Sequence, residues 1–436
     1  MDTLIEQLII DFQERALPLV LPRQAAMPNI PGKADTIIGM RRSGKTFFLY
    51  QAMHKLIDSG FPKEGILYIN FDDERLEPLK LEDLHKITDI YYRLYPERKK
   101  TKCYFFFDEI QNIIGWERYI RRLLDTEDVQ IAITGSSAKL LSKEIATSLR
   151  GRGISTEIFP YSFRETLLNE EPDIKLTSSP GAKLRAQLAN RIRQFLIKGG
   201  FPEIQTIDEQ FRFKILQEYV SIVILRDIIE RHNIPNVQAL HTMVRHLLSI
   251  SGSLFSVNKF YNDLKTQGIR CTKNDLYEYL DYLHDAYLIF PISIFSRSER
   301  IRRQNPRKVY TIDTGMVNAF SHQPQTDWGR LLENLVFLEL RHQGLNIEYY
   351  RTEAKTEVDF ITTSTRGEHA LYQVALTMND PSTRNREINS LETAMQECHL
   401  KIAKIITLDQ KEIIKTTAGE IEVFPVWEWA AIRHFE

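Results

Sequence analysis

The sequence predicts an α/β protein: a mainly parallel sheet first, then a helical region ending in a winged-helix-like hairpin, then a second, C-terminal α/β domain. Three observations carry that prediction. Residues 39–46 read GMRRSGKT, framed by an apolar run at Asp35–Gly39 and by Lys45–Ile57, whose Phe48, Leu49, Ala52, Met53, Leu56 and Ile57 repeat at helical spacing. A second apolar run, Lys102–Phe107, ends in Asp108 and Glu109. Strand-like and helix-like segments alternate between and after these motifs, as they do where helices cover both faces of a parallel sheet.

The first motif fits G-x-x-x-x-G-K-[ST], the loop that cradles phosphates in nucleotide triphosphatases. In a strand–loop–helix setting its backbone N–H groups point at the phosphates, and the helix N-terminus adds the positive end of its dipole. Gly39, Arg42, Ser43, Gly44, Lys45 and Thr46 are therefore the expected nucleotide-binding residues. Lys45 is expected to neutralise the β- and γ-phosphates of ATP, and the Thr46 hydroxyl to ligate Mg2+. Asp108, at the end of its strand, is the expected second Mg2+ ligand, and Glu109 the group that polarises the attacking water. A core strand followed by an acidic turn is the plain alternative for that pair. The run Gly65–Phe71 separates the two motifs. That order suggests the P-loop class with a catalytic Glu and a strand inserted between the two phosphate-site strands.

The next predicted strand, Gln130–Thr134, ends in Gly135-Ser136-Ser137. Ser136 is a candidate for sensing the γ-phosphate or orienting water, with an ordinary strand-end turn as the alternative. Leu149-Arg150-Gly151-Arg152 offers two guanidiniums. They suit a γ-phosphate, either in cis or across a subunit interface of a homo-oligomer, and equally suit surface salt bridges. The catalytic candidates are Lys45, Glu109, Ser136 and Arg152.

Composition bounds the remaining chain. A length of 436 residues allows about three domains. Hydrophobic residues at 43% and charged ones at 26% are ordinary for a globular protein. With a formal net charge of −1, no global field attracts nucleic acid or membranes, so any polyanion site must be a local patch. Cys103, Cys271 and Cys398 lack metal-ligand or disulfide spacing and suit a reducing compartment. No apolar run approaches the ~20 residues of a membrane span. The acidic start, Met1-Asp-Thr-Leu-Ile-Glu, lacks the basic region of a signal peptide, so a cytoplasmic location is expected.

Three domains are expected: residues 1–165 around the parallel sheet, 166–310 helical and winged-helix-like, and 311–436. Leu4–Arg15 reads as a short helix at the start, and Phe211–Arg231 as a long one in the middle. Ser256–Lys265, a turn at Gly268, and Thr272–Leu283 precede two strand-like runs, Tyr287–Phe295 and Lys308–Ile312. Thr272 is the expected helix cap, with Asp275 at the capping-box position. Helix, turn, helix and hairpin resemble a winged helix. Arg297, Arg300, Arg302, Arg303, Arg307 and Lys308 crowd the expected wing tip against one acid, Glu299. Lys273, Arg297, Arg300, Arg302 and Arg303 are thus candidate DNA contacts. A solvated loop, or a surface for another subunit, is the alternative.

In the last domain a helix at Gly329–Arg341 precedes strand-like runs at Ile347–Tyr350, Thr356–Ile361, Ala370–Val374 and Ile402–Leu408. Glu333, Asp359 and the end of the third run match the layout of restriction-endonuclease-like nucleases. There an acid and, two residues later, a water-activating lysine are needed, but this run reads Gln373-Val-Ala375. With both missing, an inactive scaffold is expected.

Taken together, GMRRSGKT, FFFDEIQ, TGSS, LRGR, PYSFRE, GGFPE, ILRDI, YTIDTG, LLENLVFLEL and TEVDF resemble the prokaryotic AAA-type P-loop ATPases that carry a C-terminal domain of unknown function. The resemblance runs from about residue 20 to 380. It implies ATP binding in the first domain, a winged-helix-like middle and a nuclease-like fold at the end. Lys45, Thr46, Asp108, Glu109, Ser136 and Arg152 match its ATPase motifs. Met40 stands where the family often has Pro, and Gln373-Val-Ala375 where it often has acid-x-Lys. The leading expectation is a Mg2+-dependent ATPase whose nucleotide state switches a DNA- or protein-binding module. A DNA-binding protein with ATP as regulatory ligand is the second reading, and a nuclease the third.

Overall fold

Five strands build the first sheet. They are β1 (Ala34–Ile38), β2 (Ile66–Asn70), β3 (Cys103–Asp108), β4 (Val129–Gly135) and β5 (Gly153–Glu157). Their order is β2-β3-β4-β1-β5, with every neighbouring pair parallel. The structure, a computed structural model, describes residues 1–135, 149, 151–177, 180–321 and 327–432. The chain divides into two compact units, Met1–Phe159 with Asp285–Tyr287, and Pro160–His284 with Leu288–Glu436.

In the first unit, α1 (Asp2–Glu14) precedes the sheet, and α2 (Lys45–Asp58), α3 (Leu84–Leu94) and α4 (Trp116–Thr126) supply crossovers. Parallel neighbours cannot be joined by a tight turn, which is why a helix lies between β1 and β2, between β2 and β3, and between β3 and β4. β1 and β4 are buried along their whole length, as central strands covered on both faces are, with Asp35, Thr36, Gln130 and Thr134 buried among their apolar residues. Phe12, Ile37, Phe48, Leu49, Met53, Tyr68 and Phe106 close one core cluster. The strand inserted between β1 and β3 is β4, while β2 lies at the edge.

The second unit opens with α5 (Phe163–Glu170), capped by Ser162 and Glu165 in a reciprocal capping box. Next come α6 (Ala182–Lys198), α7 (Glu209–Val223) and α8 (Val237–Ser249). The long helix expected over Phe211–Arg231 does not continue as α-helix: Ile224–Ile229 widens into a π-helical stretch, with Asp227 buried and Arg231 3.3 Å away. β6 (Ser253–Phe255), α9 (Val257–Thr266), α10 (Lys273–Asp285), β7 (Ile289–Ile292), α11 (Glu299–Gln304) and β8 (Arg307–Thr311) follow. The three strands form an antiparallel sheet ordered β6-β8-β7. Thr272 and Asp275 exchange hydrogen bonds at the start of α10.

A short α12 (Thr314–Phe320) and α13 (Trp328–His342) lead to β9 (Asn346–Arg351), β10 (Glu357–Thr363) and β11 (His369–Val374). After α14 (Pro381–Glu397) come β12 (Ile402–Thr407), β13 (Glu412–Lys415), β14 (Glu420–Pro425) and α15 (Val426–Ala431). These strands form a mixed sheet ordered β13-β14-β12-β11-β10-β9. Asn334 of α13 ties that domain to β8: its Oδ1 accepts from Thr311 N at 2.8 Å, and its Nδ2 donates to Thr311 O.

Two glycine-bearing motifs, GGFPE and YTIDTG, meet at a buried carboxylate. Asp313 accepts from Gly200 N at 2.6 Å and from Met316 N at 3.1 Å, so it caps α12 while gripping the turn after α6. Gly199 has φ +78°, and a Cβ there would fall 2.1 Å from Asp313 Oδ1, so no other residue fits. Burial pushes the Asp313 carboxyl up to about 6, against the downward pull of the backbone N–H groups of Gly200, Met316 and Gly315. A folded pKa above the ordinary 3.8 favours the protonated form in the native state. The stability it contributes is therefore full below about pH 3.8 and is lost as pH rises through 6. We predict that Asp313→Ala destabilises the second unit by about 2–4 kcal/mol, since two buried N–H groups lose their acceptor. Asp313→Asn should flatten the wild type's fall in stability between about pH 4 and 7, measured by urea titration at each pH.

Candidate nucleotide site

The parallel register carries both phosphate motifs to the same edge of the sheet. β1 and β3 run the same way on either side of β4, so the loop after Ile38 and the acids ending β3 emerge together. Gly39 begins the loop at φ +152°, where a Cβ would meet Ile158 O at 2.2 Å. Arg42 and Gly44 also take positive φ, and Gly44 caps α2. Lys45 opens α2 and is buried, its Nζ donating to Gly39 O and Met40 O at 3.1 Å. The ammonium is thus held at the loop it is expected to serve. Arg23, on the extended segment before β1, steadies the same loop. Its Nη1 donates to Ser43 O at 3.0 Å, and its backbone N to Gln51 Oε1 of α2 at 2.8 Å.

Asp108 is 1% exposed. Thr134 Oγ1 donates to its Oδ1, and Tyr68 OH donates to its Oδ2 at 3.1 Å. Burial pushes this carboxyl up; Thr134 pulls it down, Glu109 pushes it up again, and Thr46 and Tyr68 pull it down. Thr46 is therefore within hydrogen-bonding reach of Asp108, and together they present two hard oxygen donors of the kind Mg2+ takes. Glu109 adopts φ +51°, uncommon for a residue with a side chain. Its N–H donates to Thr134 Oγ1 at 2.9 Å, and its Oε2 accepts from Gln111 Nε2 at 2.5 Å. One hydroxyl, that of Thr134, therefore bridges the two adjacent acids.

Gly39, Arg42, Ser43, Gly44, Lys45, Thr46, Asp108 and Glu109 all gather at this edge. Ser136 and Arg150 lie outside the described residues. Arg152 does not gather there. It precedes β5, beside the start of β1, where its carbonyl accepts from Ala34 N. The length of the five-residue β1, roughly 17 Å, separates that end from the phosphate loop. Its guanidinium pairs with Asp125 of α4, so the expectation of a γ-phosphate contact in cis is corrected. Sequence reasoning misses Thr134, Tyr68 and Arg23. Of these only Thr134, directly before the candidate Gly135-Ser136 turn, carries a signal that points to it.

The basic segment of the second unit also needs correcting. It is not simply a loop, since Glu299–Gln304 forms α11, capped by Ser298. Arg297, Arg300, Arg303 and Lys273 are exposed. Arg302 is not an open contact: its Nη2 lies 3.1 Å from Glu348 Oε1 and donates to Ser293. Lys308 is buried in β8 rather than at a wing tip. Its Nζ lies 2.8 Å from Asp359 Oδ1, 2.9 Å from Glu333 Oε1 and 3.0 Å from Glu357 Oε1. Burial opposes the ammonium, yet Asp359 foremost, with Tyr310, Glu333 and Glu357, holds its pKa well above the usual range.

Glu333 and Asp359 are thus brought together, with Glu357 as an unforeseen third acid. Gln373 approaches Asp359 as a neutral amide, its Oε1 accepting from Asp359 N at 3.1 Å and its Nε2 donating to Glu387 at 2.6 Å. A divalent cation of nuclease type does not fit these residues, because an ammonium already sits where the carboxylate oxygens converge. Among the described residues no set of three His, Cys, Asp or Glu side chains is arranged to hold a metal ion. Nor is any described helix long and apolar enough to cross a membrane.

Residues 32–167 match the model of an AAA domain, 189–327 a domain of unknown function (DUF8612), and 328–429 another (DUF4143). The uncharacterized protein MJ1544 of Methanocaldococcus jannaschii is 38% identical over 98% of this chain and 95% of its own. An uncharacterized protein of Haemophilus influenzae is 29% identical over 90% and 93%. Among solved structures, the Walker-type ATPase PABY2304 of Pyrococcus abyssi is 13% identical, with a TM-score of 0.42 over 70% of this chain and 99% of that one. The Aeropyrum pernix ORC1 protein, solved in complex with DNA, is 14% identical, with a TM-score of 0.30 over 66% and 86%. Matched nearly end to end by the first of these relatives, the chain belongs to the family of AAA-type P-loop ATPases that carry two C-terminal domains of unknown function.

Proposed function

We propose that the protein is a Mg2+-dependent ATPase whose nucleotide state switches a DNA- or protein-binding module in its second unit. The observation that carries the first half is the shared sheet edge, where the phosphate loop, Asp108 and Glu109 emerge with a hydroxyl fixed between the acids. Asp108 and Thr46 would hold Mg2+, which would offset the negative charge developing on the phosphates in transfer. Lys45 exchanges its loop carbonyls for phosphate oxygens. Glu109 orients the attacking water and accepts its proton. Thr134 keeps that carboxylate and the Mg2+ ligand in register. Arg152, turned away from its own site, is left with a surface ion pair or a role toward a neighbouring subunit of a homo-oligomer.

The second half rests on topology. The order α8-β6-α9-α10-β7-α11-β8, with the sheet ordered β6-β8-β7, supports a winged-helix reading in which α10 enters a groove and the segment carrying Arg297, Arg300 and Arg303 flanks it. A protein surface is the other occupant such a module accepts. The helix α13, three strands, α14 and β12 support a restriction-endonuclease-like end domain, and the lysine-filled acid cluster supports its being inert as a nuclease.

Glu109→Gln should bind ATP normally and hydrolyse it on the order of 10²–10⁴-fold more slowly. Unchanged turnover in that variant would remove Glu109 from the mechanism. Thr134→Val loses a bond to a charged group worth about 1.5–3 kcal/mol, so its hydrolysis should fall roughly 10- to 100-fold with ATP still bound. Replacing Arg297, Arg300 and Arg303 by Ala should weaken binding to duplex DNA and shrink its salt dependence by about 0.9 in log–log slope for each phosphate left unneutralised. Affinity indifferent to salt and to these changes would favour a protein partner.

A further inference from the structure

The acid cluster of the second unit gathers three carboxylates and holds a side chain at its centre. Glu333 comes from α13, Glu357 and Asp359 from β10, and Lys308 from β8 of the other sheet. Each carboxylate gives one oxygen to Nζ at 2.8–3.0 Å, matching the three hydrogens of an ammonium. Further groups reach the same carboxylates. Tyr310 OH donates to Glu333 Oε1 at 2.8 Å, and Val374 N donates to Asp359 Oδ2 at 2.9 Å. Arg351 stands 3.7 Å from Glu357 Oε2. The oxygens are therefore fixed around a centre that one positive charge already occupies. A cation such as Mg2+ or Mn2+ would need those same oxygens at a shorter distance and a centre free of the ammonium.

We propose that the Lys308 ammonium stands in for a divalent cation, so that a metal-type acid cluster serves as a clamp fastening the three-stranded sheet to the C-terminal mixed sheet. The inference rests on the reading of the end domain as inert, and it goes further by naming what closed the site. It also makes the site recoverable. Without the ammonium, three carboxylates, Asp359 buried and Glu333 and Glu357 half-buried, face one another, and a divalent cation of oxygen-seeking type relieves their repulsion in the same place.

The test is Mn2+ binding to the full-length, nucleotide-free protein, read by electron paramagnetic resonance, with thermal melting in parallel. Wild type, Asp359→Asn, Lys308→Met and the double variant are compared, so that Mn2+ held at the ATPase site is common to all. Wild type and Asp359→Asn should bind alike. Lys308→Met should melt lower in chelator, take up one additional Mn2+ per chain and regain its melting temperature with it. The double variant should lose that ion. Lys308→Gln, which keeps a donor toward the acids, makes the same prediction if the Met variant does not fold. A folded Lys308 variant with no additional ion overturns the stand-in and leaves the inert reading intact. An ion bound by wild type and lost in Asp359→Asn overturns both, because the cluster is then a working metal site.

Discussion

A carboxylate taken out of water must be matched, and each unit of this chain is organised around how that is done. In the first, Asp108 sits at the end of β3 with neutral donors, the hydroxyls of Thr134 and Tyr68, on its two oxygens. Hydroxyls stabilise the charge without cancelling it, so the acid keeps its attraction for a cation. In the second, Asp359 sits on β10 with the Lys308 ammonium against one oxygen. That charge is cancelled on the spot. Similar chemistry at two strands therefore leads to opposite arrangements, one carboxylate met by neutral hydroxyls and the other closed by an ammonium of its own chain.

The position of β4 makes the first arrangement possible. Set between β1 and β3, it brings Thr134 to where a single hydroxyl touches both Asp108 and the N–H of Glu109. The left-handed backbone of Glu109 ends the strand directly after Asp108. A strained residue held by a neighbouring strand is the kind of local cost that recurs at functional sites. Here its use is in the proposed hydrolysis. In the second unit, the link from Asp313 to Gly200 and from Asn334 to Thr311 gives the middle and end domains a common buried polar frame.

What can be read in the sequence follows from whether a function is local along the chain. The phosphate loop is legible because its backbone groups must be consecutive, and Gly39 and Gly44 meet conformations that a string of eight residues reveals. Asp108-Glu109 is legible because a strand end is local too. Thr134 is not, since its importance comes from the neighbour that β4 happens to lie beside. Arg152 misleads because a nearby arginine says nothing about which end of a parallel strand it flanks. Lys308 misleads most: in the string it ends a basic run, but strands alternate faces, and entry into β8 one residue earlier turns it inward. Gln373 is legible as an absent acid, whereas the lysine missing from its strand arrives from a different sheet.

The proposed chemistry of this chain lies in the phosphate loop of its first unit. The most direct measurement is steady-state phosphate release from ATP by the full-length protein beside Lys45→Ala, with and without duplex DNA. The account predicts Mg2+-dependent release by wild type that Lys45→Ala abolishes, with DNA changing the rate only through the wild-type site. Release that survives in Lys45→Ala would contradict it.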